Sequence, residues 1–213
     1  MNKFLICTPG RTASTSLFNY IAASLREMDP NVAAVDRGSY TTEEIQSFNT
    51  SQSAVFTMFN GFKLPHILES INVNDWNLIL LTRKDTAAWL LSMIAIHSTN
   101  EWHPGKEYQV DSFNTSKEIF LYTYWGIKCW NKLVYSPAHG LGFNKVIEID
   151  FNDLVADWPA AGRTINNWKW DEEPSKMKLG MTTSWNAVAN LEEVLSWLPK
   201  EDTQLIDQIR STL

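Results

Sequence analysis

Four consecutive apolar residues, Phe4-Leu5-Ile6-Cys7, run straight into Thr8-Pro9-Gly10-Arg11-Thr12-Ala13-Ser14-Thr15-Ser16. The apolar run reads as a short buried strand over Lys3–Cys7, and Pro9-Gly10 ends it as a turn. From Ser14 onward Leu17, Tyr20, Ile21 and Leu25 recur at helical spacing. Hydroxylated residues stand at the start of that helix, where backbone amides lack partners. A strand, a tight turn and a helix in so few residues place a polar loop at the carboxyl end of a buried strand. That arrangement points to a fold of alternating strands and helices.

The rest of the chain repeats the alternation. Ala54–Phe59 and Lys145–Asp150 read as strands, and Asn-Leu-Ile-Leu-Leu-Thr at Asn77–Thr82 as a buried one. Helical spacing predicts helices after Arg83-Lys84-Asp85 to about His97, over Thr115–Tyr135, over Trp158–Trp168, and from Leu191 on. Shorter helices are expected near Thr41–Phe48 and Pro65–Ile71, inside an otherwise polar and turn-rich Asp29–Ser53 and after the Asn60-Gly61 turn. Ser98–Asn114 is a long polar stretch, which in a compact domain reads as a lid or mobile segment. With no repeat or linker, residues 1–213 read as one α/β domain, a mostly parallel sheet flanked by helices. Ligands in such folds sit where strand carboxyl ends meet helix starts, and Cys7–Ser16 and Arg83–Ser92 are the segments so placed.

Bulk chemistry narrows the classes. A net charge of −6 argues against a broad nucleic-acid face, while a local anion pocket needs only backbone amides and a few cations. Cys7 and Cys129 are the only cysteines; they give no metal-ligand spacing and no disulfide framework, which suits a reducing compartment. The longest apolar run, Ala87–Ile96, is too short to span a membrane. The expectation is a soluble cytoplasmic protein with neither nucleic acid nor membrane as partner, and with no metal.

The opening loop carries the chemistry. A strand–turn–helix unit presents free amides and the positive end of a helix dipole. Arg11 adds a fixed cation, and Thr12, Ser14, Thr15 and Ser16 add hydroxyls. Capping a helix needs one hydroxyl rather than four beside an arginine, so the stretch reads as a phosphate or sulfate cradle. It is not a Walker A motif, which needs Gly-Lys-Ser/Thr.

Pro-Gly-Arg-Thr-Ala-Ser-Thr-Ser-Leu resembles the 5′-phosphosulfate-binding loop of the sulfotransferases, with Ala13 where that family's pattern has glycine. "LILLTRKDTAAWLLS" resembles the family's 3′-phosphate motif, with Lys84 directly before Asp85, Arg83 one residue earlier and Ser92 completing the spacing. "VIEIDFNDLVADW" is similar to a later family strand and helix start, and "GFKLPHILES" to a segment with Lys and His before the central strand. The family's closing Arg-Lys-Gly element has no match; Lys176 and Lys178 stand in the corresponding region, where solvent-exposed lysines are the plainer reading.

The resemblance implies a P-loop-like, sulfotransferase-type fold and transfer of a sulfuryl group from 3′-phosphoadenosine 5′-phosphosulfate to a hydroxyl or amine of a small-molecule or glycan acceptor. It assigns Gly10, Arg11, Thr12, Ala13, Ser14, Thr15 and Ser16 to the 5′-phosphate, and Arg83 or Lys84 with Ser92 to the 3′-phosphate. Arg11 stands by the leaving phosphate, His66 is the first choice of general base and Lys63 the adjacent cation. His97, His103, Asp36, Glu43 and Glu44 compete for the base. Trp102, Tyr108, Phe113, Tyr122, Tyr124 and Trp125 line an acceptor pocket or, more commonly for such spacing, a core. Two other readings stay open: a P-loop-like kinase, and a catalytically idle nucleotide-binding protein on the same fold.

Overall fold

The computed structural model describes residues 2–10, 12–36, 41–59, 64–100, 108–170 and 181–213. They fall into two compact units, Met1–Lys84 with Cys129–Glu173, and Asp85–Lys128 with Pro174–Leu213. In chain order the strands are β1 (Asn2–Thr8), β2 (Ala33–Asp36), β3 (Ser53–Phe59), β4 (Asn77–Thr82), β5 (Tyr108–Gln109), β6 (Lys145–Asp150) and β7 (Met181–Thr182). The first helices are α1 (Ser14–Met28), α2 (Thr42–Thr50), α3 (Leu64–Ser70), α4 (Thr86–Thr99) and α5 (Lys117–Trp130). They are followed by α6 (Ser136–Ala138), α7 (Phe151–Ala156), α8 (Trp158–Asn166), α9 (Leu191–Ser196) and α10 (Thr203–Arg210).

The first unit is built on a five-stranded sheet in the order β2-β3-β1-β4-β6. Every pairing is parallel. This is the α/β class with a parallel sheet that the alternation predicts. Its central strands are apolar runs because both faces are covered: Phe4 to Cys7 in β1 and Leu78 to Leu81 in β4 are buried. Phe4 pairs in register with Val55 and Leu5 with Phe56, so Phe4 and Phe56 stand on opposite faces. On the Phe56 side, Phe48 stacks at 4.7 Å and Trp76 meets the ring edge-on at 5.0 Å.

The Phe4 side carries a cluster of indoles. Trp168 lies 5.4 Å from Phe4, Trp158 stacks on Trp170 at 5.3 Å, and Tyr20 of α1 meets both of those indoles edge-on. The Trp170 indole N–H donates to Ser24 Oγ at 2.9 Å, tying the cluster to α1. Gly162 permits the approach: a Cβ there meets Trp170 Cδ2 at 2.8 Å and the Trp168 carbonyl oxygen at 3.0 Å.

Several elements depart from the sequence expectation. β2 lies inside the stretch read as turn-rich, because Ala33-Ala34-Val35 offers little apolar signal and its residues are only half-buried. The helix expected over Thr115–Tyr135 is α-helical to Trp130 and continues as a π-helical turn, Asn131–Tyr135. A further helix, α7, precedes α8, and Asp157 separates them by accepting the Ala160 N–H at 2.9 Å.

In the second unit, α4 is apolar nearly all round, with Ala87, Trp89, Leu90, Leu91, Ile94, Ala95 and Ile96 buried. That is the signature of a helix enclosed by protein. Its N-terminus is capped by Asp85, whose Oδ1 accepts from the Ala88 N–H and from Gln208 Nε2 of α10, both at 2.9 Å. β5 and β7 form a short parallel pair. Tyr124 of α5 donates its hydroxyl to Asp202, and Lys128 Nζ pairs with the same carboxylate at 2.9 Å. Burial, and then the hydroxyl's commitment to Asp202, push the Tyr124 ionisation up. Burial raises the Asp202 carboxyl, but the Tyr124 and Lys128 donors outweigh it and hold the group below its ordinary value. Among the described residues no helix is long and apolar enough to cross a membrane.

Two outcomes follow. Gly162→Ala loses about 1–3 kcal/mol of stability by overpacking, read by urea denaturation, with near-ultraviolet circular dichroism reporting the indole cluster. Above about pH 10 an unfolded tyrosine releases its proton while folded Tyr124 keeps it, so stability falls as pH rises. Denaturation at stepped alkaline pH shows a steeper decline for the wild type than for Tyr124→Phe.

Candidate functional site

All five strands of the large sheet point the same way, so Thr8, Asp36, Phe59, Thr82 and Asp150 end along one edge. From β1 the chain moves outward to β2 and back to β3, then crosses to the other flank of β1 for β4 and β6. The β1/β4 pair is therefore where the strand order reverses, the position at which open α/β sheets bind ligands. The loops leaving β1 and β4 are the two segments singled out by sequence.

The first loop is internally braced. Thr8 Oγ1 and Thr12 Oγ1 lie 2.6 Å apart, and both residues are fully buried. The Gly10 N–H donates to the same Thr8 oxygen at 3.0 Å, a local turn of the kind hydroxyl side chains form with their own backbone. Gly10 has φ 98° and Ala13 φ 59°, both in the region where L side chains crowd their own backbone. Ala13 occupies the N-cap of α1 and has no side-chain oxygen, so among the described residues no side chain caps this helix. The amides opening α1 are left to a ligand or to water. Ser14 is buried, Ser16 half-buried and Thr15 exposed. Burial pushes the Cys7 thiol far up, so Cys7 packs rather than reacts.

The second loop is fixed by β6. Asp150, itself buried, accepts the Lys84 N–H on Oδ2 at 2.7 Å and the Asn152 N–H on Oδ1 at 3.0 Å. The half-buried Arg83 guanidinium lies over the Phe151 ring at 4.6 Å. The Lys84 side chain is 77% exposed and faces Asp153 at 3.5 Å. Residue types alone do not separate the two cations; the corner at Asp150-Phe151 does. Ser92 lies half-buried in α4, in the second unit.

Arg11, Lys63, His103, Lys176, Lys178 and the His66 side chain lie outside the described residues, as do residues 101–107 of the polar segment read as a lid. Asp36 closes β2 at the loop-bearing edge, with Oδ1 buried and without a hydrogen-bond partner among the described residues. Glu44 is engaged in a reciprocal capping box with Thr41. The Glu43 carboxyl is held down by its own backbone N–H and then by the Thr41 hydroxyl. His97, 6.0 Å edge-on from Tyr122, has its pKa lowered by burial. Of the candidate aromatics, Phe113 and Tyr124 are core and Tyr122 and Trp125 exposed, while Trp102 and the Tyr108 side chain lie outside the described residues. Thr8 and Asp150 were not among the expected site residues; the only sequence signal for Thr8 is its place between the apolar run and Pro9.

No family model matches the chain, and no curated protein matches it significantly. Among solved structures, a sulfotransferase domain from the curacin biosynthetic pathway is similar, with a TM-score of 0.41 and 9% identity over 99% of this chain and 98% of that one. The likeness is distant, and the site stands on its own residues.

The left-handed Ala13 gives a direct check. Ala13→Gly gains about 0.5 kcal/mol, the left-handed penalty of roughly 1–2 kcal/mol less the larger entropy that glycine loses. Ala13→Val is destabilising. Urea denaturation reads both, and a destabilised Ala13→Gly contradicts the left-handed N-cap.

Proposed function

We propose that the chain transfers a sulfuryl group from 3′-phosphoadenosine 5′-phosphosulfate to a hydroxyl or amine of a small-molecule or glycan acceptor. The observation that carries this reading is the β1–α1 corner, where a helix without a side-chain cap opens at the point of strand-order reversal. Backbone amides and a helix dipole there favour an anion. The adjacent β4 loop supplies Arg83 and Lys84. A donor charged at both its 5′ and 3′ ends matches two such loops better than a nucleotide charged at one end.

In this reading the amides opening α1, with Thr15 and Ser16, hold the 5′-phosphate. Arg11 meets the negative charge that builds on the leaving phosphate. Arg83, oriented by Phe151, is the first choice for the 3′-phosphate, and Lys84 the second. His66 takes the proton of the acceptor as the new bond forms, with Lys63 beside it as a cation. Positioning and charge stabilisation do most of the work in a loose in-line transfer, by analogy with phosphoryl transfer.

Calorimetry without added metal, against 3′-phosphoadenosine 5′-phosphate, ADP and 5′-AMP, tests the proposal. The first binds tightest, and Arg11→Ala or the Arg83→Ala/Lys84→Ala pair weakens it at least about tenfold, since hydrogen bonds to charged groups contribute about 1.5–3 kcal/mol. ADP binding equally well or better overturns the reading in favour of a kinase. Tight binding without transfer to any acceptor in a broad screen assigns the chain to the idle nucleotide-binding class.

A further inference from the structure

Thr8 stands outside the set of residues that the anion-loop pattern names, yet two contacts of the loop converge on its hydroxyl. It belongs to the last position of a strand paired on both flanks. It accepts from the Gly10 N–H at 3.0 Å and lies 2.6 Å from Thr12 Oγ1. The backbone has positive φ at Gly10, one of the two contacts, and again at Ala13, directly after the other. An unbraced loop with such a backbone samples several conformations, and a ligand that needs one of them binds more weakly by the fraction populated.

We propose that Thr8 is a positioning residue for the anion loop. Its hydroxyl holds Gly10 and Thr12 to the end of β1, so that the amides opening α1 are aimed before the ligand arrives. Thr12 acts with it: its hydroxyl is spent on Thr8 and the residue is fully buried, so it shapes the loop from beneath. This inference rests on the proposed binding of 3′-phosphoadenosine 5′-phosphate and names the residue that organises its 5′ end.

The test uses the full chain as wild type, Thr8→Val and Thr8→Ser. Valine keeps the shape and the strand preference and removes the hydroxyl; serine retains it. Each is titrated calorimetrically with 3′-phosphoadenosine 5′-phosphate and with adenosine 3′-monophosphate, which lacks the 5′-phosphate. Thr8→Val is expected to weaken the bisphosphate about tenfold, equivalent to about 1.4 kcal/mol, and to leave the monophosphate within about twofold. Thr8→Ser restores most of the loss, and Gly10 amide exchange is faster in Thr8→Val alone. Wild-type affinity for the bisphosphate in Thr8→Val overturns the role of Thr8 and leaves the proposed function standing. Equal loss of both nucleotides in Thr8→Val and Thr8→Ser also overturns it, since that marks a general packing defect. A wild-type chain that binds neither nucleotide overturns the proposed function and this inference together.

Discussion

β1 is hydrogen-bonded on both flanks, to β3 over its whole length and to β4 over four register pairs. Its side chains from Phe4 to Thr8 are buried. A strand enclosed in this way cannot slip by one residue, because a slip exchanges every side chain between the two faces. Everything at the carboxyl edge is measured from it. The first loop starts from the last residue of β1, and the second leaves the strand beside it. The indole cluster adds a second restraint by tying α1, through Tyr20 and Ser24, to the elements after β6.

Against that rigid background the loop itself departs from ordinary backbone preference. Alanine in a left-handed conformation is uncommon, and an αL residue without a side-chain acceptor is a poor helix cap. Both departures fall at one residue, Ala13. Strain of this kind persists where the surroundings over-determine it and gathers at functional positions. Here the surroundings are the buried Thr8–Thr12 pair on one side and the first turn of α1, held by Leu17, Phe18 and Ile21 in the core, on the other.

The large sheet was legible because its central strands announce themselves. Phe4-Leu5-Ile6-Cys7 and Leu78-Ile79-Leu80-Leu81 are unbroken apolar runs, as strands covered on both faces must be. β2 was not legible, since an edge strand of two alanines, a valine and an aspartate carries no pattern distinct from its polar surroundings. The first candidate loop could be read from residue types alone, because hydroxyls, glycine and arginine at a strand end have a direct chemical meaning. What composition could not convey was direction. Thr12 and Ser14 look like ligand donors in the sequence and are buried in the structure, while Arg83 and Lys84 look equivalent and have different neighbours. Asp150 acts across a separation of 66 residues, beyond the reach of any local motif.

That separation also bears on the order in which the edge can assemble. The brace of the first loop joins residues four positions apart, so the segment from β1 to α1 contains its own fastening. The Lys84 amide has its acceptor on a strand made much later, and closing so wide a circuit of chain carries the entropy of a long loop. A nascent polypeptide ending before β6 already owns one half of the edge and lacks the carboxylate that secures the other.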